Sequence, residues 1–188
     1  MNTKTITRTA LLLALAVAGQ FFKNLSVYIT GPVINCILII AALYCGTVSG
    51  VFLSAVLPVT SWLITGSPIM TAMPVIVPCV MAGNLILALL ARLAVSRGGS
   101  DGRLSLCLTA GCAAKALFMG LTISLLVLQL QGPGSGLPEK ALTAAKITFS
   151  LTQLTTGLIG AALAFSLKKA LDRTAGVRVA EGRSLTGD

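Results

Sequence analysis

The stretch from Ala141 to Phe165, ALTAAKITFSLTQLTTGLIGAALAF, decides the fold class. It is apolar enough to lie in a bilayer, and at 1.5 Å per residue a helix of this length crosses a hydrocarbon core about 30 Å thick. Lys146 is its only charge, and no Asp or Glu lies within it. A membrane-buried ammonium costs about 2.5–3.5 kcal/mol on insertion scales. The stretch therefore raises a question as well as a fold: what answers that charge?

The rest of the chain has the same character. Of 188 residues, 55% are hydrophobic and only 10% are charged, whereas a soluble domain carries about a quarter Asp, Glu, Lys and Arg. The sequence predicts an all-α integral membrane protein, a bundle of six transmembrane helices. The spans are expected at roughly 5–22, 30–45, 47–65, 73–95, 104–130 and 141–171. Residues 1–171 are expected to form one transmembrane domain, and 172–188 a flexible cytoplasmic tail. Pro58 is expected to kink the third span, while Pro74 and Pro78 sit in the first turns of the fourth, where proline is tolerated. The second and third spans join almost directly at CGTVSG, as a tight helical hairpin. The start of the chain also resembles a secretory signal ending at Ala16-Val17-Ala18, but the apolar run continues through Phe21 and Phe22, as a retained span does.

Six spans put both termini on one side. That side holds Lys4, Arg8, Arg92, Arg97, Arg103, Lys168, Lys169, Arg173, Arg178 and Arg183, against Lys23 and Lys140 on the other. Basic residues concentrate in cytoplasmic loops, so the expectation is a multi-pass cell-membrane protein with both termini cytoplasmic. The net charge of +9 is accounted for by this asymmetry. Nucleic-acid binding is not expected, because no basic, aromatic-bearing soluble domain exists. The partners expected are lipid around the bundle and a small molecule inside it. There is no histidine, and the five cysteines form no CxxC pair, so neither a metal site nor a cofactor is expected.

The remaining two basic residues, Lys115 and Lys146, lie within spans, and all five acids are in loops or tail. Lys146, Ser150, Gln153, Gly157, Gly160 and Ala164 recur at helical spacing and so share one face. Gly111, Lys115, Thr122 and Gln129 make a similar stripe on the fifth span, and Asn84 lies about 16 Å inside the fourth at 1.5 Å per residue. Lys146, about 8 Å from its span's end, can snorkel to the interface or meet a ligand. Lys115 is too deep to snorkel and is either a neutral amine or an anion-binding group. Asn84 is either packing glue or a ligand contact. The candidate ligand-binding set is Lys115, Lys146, Asn84, Gln153, Ser150, Thr122, Tyr28 and Asn35.

Three function classes compete. An intramembrane hydrolase has only a Ser150–Lys146 dyad to work with, since no His or membrane carboxylate exists. A proton-driven transporter normally carries Asp, Glu or His in its spans, and none is here. A scaffold or assembly protein without transport activity needs no intramembrane lysine.

The order of segments TRTALLLALAVAGQ (7–20), TGPVINCILIIAAL (30–43), CGTVSGVFLSAVLPV (45–59), ITGSP (64–68) and MPVIVPCVMAGNLIL (73–87) resembles the substrate-binding S component of energy-coupling factor (ECF) transporters, which import vitamins and related micronutrients. The resemblance implies no enzymatic activity of its own. It implies a six-helix substrate-capture subunit that works with a transmembrane scaffold and two cytoplasmic ATPases. It also implies that Ala10, Ala14 and Ala18, at A-x-x-x-A spacing, face that scaffold, although such spacing also serves close packing within a bundle. Residues 23–33 would lid the substrate. The chain has no G-x-x-x-x-G-K-[ST] sequence of its own for ATP. The lysines then lack internal partners because the partner is imported, and a small carboxylate- or phosphate-bearing compound is expected.

Overall fold

A computed structural model describes residues 2–22, 26–96 and 100–175. Lys23, the first part of the expected lid, Arg97 and the tail from 176 onward lie outside the described residues. The chain is all-helical. Helix α1 covers Thr3–Gln20, α2 Val27–Cys45, α3 Thr47–Thr65, the short α4 Pro68–Ala72 and α5 Ile76–Ser96. Helix α6 covers Asp101–Leu130, α7 Glu139–Phe149 and α8 Leu151–Ala175.

Among the described residues, five segments are long and apolar enough to cross a membrane: α2, α3, α5, α6, and α7 with α8 together. Helix α1 is less apolar, because Lys4 and Arg8 fall in its first two turns, and it packs beside them as the sixth. The six close a ring in the order α1, α3, α5, α6, α8, α2 and back to α1. Helix α8 runs to Ala175, four residues past the expected end of the domain. Asp172 accounts for part of that extension: it pairs with Lys168 at 2.6 Å and accepts a hydrogen bond from the Tyr44 hydroxyl of α2.

Local irregularities fall where the sequence pattern assumed straight helices. Gly46 joins α2 to α3 at φ 93°, ψ 178°, a conformation open to glycine and strained for any residue with a Cβ. The last turn of α2 (Ala41–Cys45) and the segment Gly120–Val127 of α6 are wound with wider π turns, which shift the phase of everything after them. The expected sixth span is two helices, broken at Ser150 (φ −117°, ψ −87°). The two breaks touch: the Ser124 hydroxyl of α6 and the Ser150 hydroxyl both donate to the Lys146 carbonyl, at 3.0 and 2.6 Å.

Burial comes in two clusters. The larger, including Leu38, Leu53, Leu87, Leu108 and Cys112, fills the half of the bundle nearer the termini. The smaller, including Met73, Ile76, Val77, Met119 and Phe149, fills the other half beneath α4 and α7. Lys115 lies on α6 between Cys112 and Met119, and Asn84 lies on α5 between Val77 and Leu87, so the polar groups fall at the boundary.

The tightest helix contact is between α2 and α8. A Cβ built on Gly160 would lie 2.7 Å from both the Pro32 carbonyl oxygen and the Asn35 Cβ. These atoms belong to or adjoin backbone and cannot yield as a side-chain tip would. Gly160→Ala gains about 1 kcal/mol of helix propensity but forces overpacking that costs typically 1–3 kcal/mol. The expected result is a lower melting temperature for the detergent-purified protein. Gly102→Ala, with nothing within 4 Å of the added Cβ, should leave it unchanged or raise it.

Candidate functional site: a polar cavity lined by all six helices

One cavity at the boundary of the two clusters is lined from every member of the ring. Helix α1 contributes Gln20, α2 contributes Thr30 and Asn35, and α3 contributes Ser61 beside Leu57 and Pro58. Helix α5 contributes Asn84, α6 contributes Lys115, and α8 contributes Gln153 and Thr156. The polar side chains converge because each interrupts the inward face of an otherwise apolar helix, and burying them elsewhere would expose them to lipid.

Lys115 is 3% exposed, and its Nζ donates to Asn35 Oδ1 at 2.7 Å. Among the described residues this is its one hydrogen-bond partner, and no carboxylate reaches it. A neutral amide oxygen satisfies one of the three ammonium donors and supplies no opposing charge. The ammonium is thus held in position but not neutralised. Thr30 and Thr156 turn their hydroxyls back onto the carbonyls of Ser26 and Thr152 in their own helices, which leaves the carboxamides and the lysine as the groups open to new partners.

Four of the expected site residues, Lys115, Asn35, Asn84 and Gln153, meet in this cavity. The other four lie elsewhere. Thr122 falls in the π-wound part of α6, is half-buried, and donates to the Phe118 carbonyl. Gln129, from the same expected stripe, is exposed, because the wider turns rotate it off the inward face. Lys146 is half-buried on α7 and does not line the cavity. The break at Ser150 turns that helix away, so Lys146 and Gln153 do not share one continuous face. The Ser150 hydroxyl binds the Lys146 carbonyl and not its amine, so no Ser–Lys dyad forms. Tyr28 is 61% exposed.

Gln20, Thr30, Ser61 and Thr156 were not among the expected residues. Gln20 had a signal: it shares with Thr9 and Ala16 the face of α1 that is buried. Ala10, Ala14 and Ala18 lie on the opposite face and are all exposed.

A second, larger cavity of about 430 Å³ opens at the end opposite the termini, between the α3–α4 corner and α7. Val27 and Gln153 line both cavities, so they form the neck between them.

Residues 4–171 match the family model described as the ECF transporter, substrate-specific component. The chain belongs to that family. No curated protein and no solved structure matches it. This S component is a substrate-binding transport subunit and not an enzyme, a membrane protein that crosses the bilayer repeatedly. S components associate with the ECF energising module.

The Lys115–Asn35 pair yields a measurable asymmetry. A hydrogen bond to a charged group is worth about 1.5–3 kcal/mol. Asn35→Leu strands the ammonium, whereas Lys115→Met removes the charge together with its desolvation cost. Asn35→Leu should therefore destabilise the S component more than Lys115→Met. In the double variant the Asn35 effect should shrink by about the hydrogen-bond energy. Denaturant unfolding in mixed micelles measures all four corners of the cycle; additive effects would mean the two side chains are not energetically paired.

Proposed function

We propose that this S component captures a small, water-soluble, anionic micronutrient in the six-helix cavity and hands it to a transmembrane scaffold and two ATPases for import. One observation carries the reading: Lys115 is buried in a cavity served by all six helices of the ring, with a neutral amide as its hydrogen-bond partner and no carboxylate at hand among the described residues. Desolvated ammonium in such a place favours an anion strongly. The binding end is taken as outer and both termini as cytoplasmic, on the positive-inside bias. The substrate then enters by the larger cavity and passes the Val27–Gln153 neck.

The inner cavity measures about 80 Å³, against about 300 Å³ or more for ordinary ligand pockets. Binding therefore requires the helices to part. The π-wound Gly120–Val127 and the break at Ser150 are where the helical ladders are already interrupted, and they adjoin the larger cavity's wall.

Helix α1 is the proposed coupling element. Its Ala10, Ala14 and Ala18 face is exposed while its opposite face holds the bundle together, which supports close approach to a neighbouring helix. The alternative use of that spacing, packing within the bundle, is disfavoured by the same exposure.

The anion reading is tested with water-soluble carboxylates and phosphates presented beside their uncharged esters. Acids should bind and stabilise the purified chain, esters should not, and Lys115→Met should weaken binding at least tenfold. That figure follows from about 2–5 kcal/mol for a desolvated charge contact at 1.4 kcal/mol per decade. Esters that bind as well as acids would overturn it.

The coupling reading is tested with Ala14→Leu. Co-purification of the energising subunits should fall while ligand affinity of the isolated chain persists; loss of affinity would place Ala14 inside the bundle. For orientation, cysteines placed at Ser26 and Ser135 should react with impermeant reagents on whole cells, and one at Ser100 should not. Reaction at Ser100 would invert the proposed topology.

A further inference from the structure

Gln20 ends α1 and is 1% exposed. Its Nε2 donates to the Leu57 carbonyl of α3 at 3.0 Å. That contact fixes which way round the carboxamide lies, because the flipped form would set Oε1 against another acceptor. The remaining atom, Oε1, is buried and has no hydrogen-bond partner among the described residues. Buried acceptors without a donor are rare and costly, and Gln20 lines the same cavity as Lys115.

Two further carboxamides stand beside it. Asn84 and Gln153 line the cavity, and neither side chain makes a hydrogen bond among the described residues. A carboxamide offers a donor and an acceptor side by side and pairs two-pronged with an edge that offers the converse, as Asn and Gln do with a base edge. Lys115 by contrast can only donate. The cavity thus combines one cationic donor with an orphan acceptor and two free amide groups. A plain carboxylate or phosphate would satisfy the first and leave the acceptor stranded.

We infer that Gln20 Oε1 accepts a hydrogen bond from an N–H of the substrate, so that the cavity selects a small acid which also carries an amide-like N–H, of the acidic lactam or cyclic-urea class. This rests on the reading of the cavity as the substrate site. It names the donor that the substrate must bring, where the lysine alone names only its charge. Because Gln20 is the last residue of α1, the substrate on this account touches the helix whose other face is exposed for a partner.

The test uses the full chain in detergent and three defined acids: pyroglutamate, 2-oxoimidazolidine-4-carboxylate and orotate. Each is titrated beside its N-methylated derivative and its methyl ester, with thermal stabilisation and affinity as readouts. At least one acid should bind at least tenfold more tightly than both of its derivatives. Gln20→Met should bind that acid and its N-methyl derivative equally. If Gln20→Met does not fold, the comparison on the wild-type chain decides. Discrimination that persists in Gln20→Met is steric and overturns the inference. Acid and N-methyl derivative binding equally to the wild type, with the ester weak, overturns it while leaving the anion reading standing. Ester binding as tightly as acid overturns the anion reading instead. No binding by any of the three acids overturns the substrate class.

Discussion

The structure turns on one unneutralised charge. Lys115 places an ammonium where, among the described residues, no carboxylate reaches it, at a cost of several kcal/mol per buried ion. A bilayer protein meets such a cost by turning the charge inward and giving it polar company. Here that company comes from all six helices, and the ring closes around it. Asn35 holds the amine in place without cancelling its charge. In a structural ion pair, a carboxylate would have done both. The site keeps its electrostatic demand unmet, and on the proposed function an incoming anion is the group that would meet it.

The same demand explains why the bundle packs as it does. The Asn35 side chain holds Lys115 from α2, and beside it α2 and α8 approach so closely at Gly160 that a single methyl group would collide with the Pro32 carbonyl. Behind this contact lies the larger apolar cluster, which anchors the half of the bundle near the termini. Ahead of it the packing changes character, with methionines, π turns and a broken helix around the second cavity. Interrupted ladders are cheaper places to bend than regular helix, and they fall in the half of the bundle away from the termini.

Much of this was legible in the sequence, for physical reasons that differ from residue to residue. The spans were readable because apolar runs of about 20 residues have few alternatives in a bilayer. Lys115, Asn84 and Gln153 were readable as inward groups because a polar side chain facing lipid is penalised. The stripe from Lys115 to Thr122 failed at Gly120, where the winding widens, and the stripe from Lys146 to Gln153 failed at Ser150. The two breaks meet where the Ser124 hydroxyl of α6 donates to the Lys146 carbonyl of α7, a contact between helices that a single-helix periodicity does not contain. Gln20 was legible only through the face of α1 it shares with Thr9 and Ala16, a weaker signal than a charge within a span. The small-residue spacing on α1 was readable as a packing face, but its exposure became known only once the opposite face was found buried.

On the proposed function, the unneutralised Lys115 marks the substrate's anionic group. Native mass spectrometry of the chain released from membranes tests it most directly, since it weighs whatever the cavity has retained. The expected result is one small compound per chain, bearing a carboxylate or phosphate, and its loss from the Lys115→Met protein. A cation or an uncharged compound at the same stoichiometry, or an anion retained equally by Lys115→Met, would contradict it.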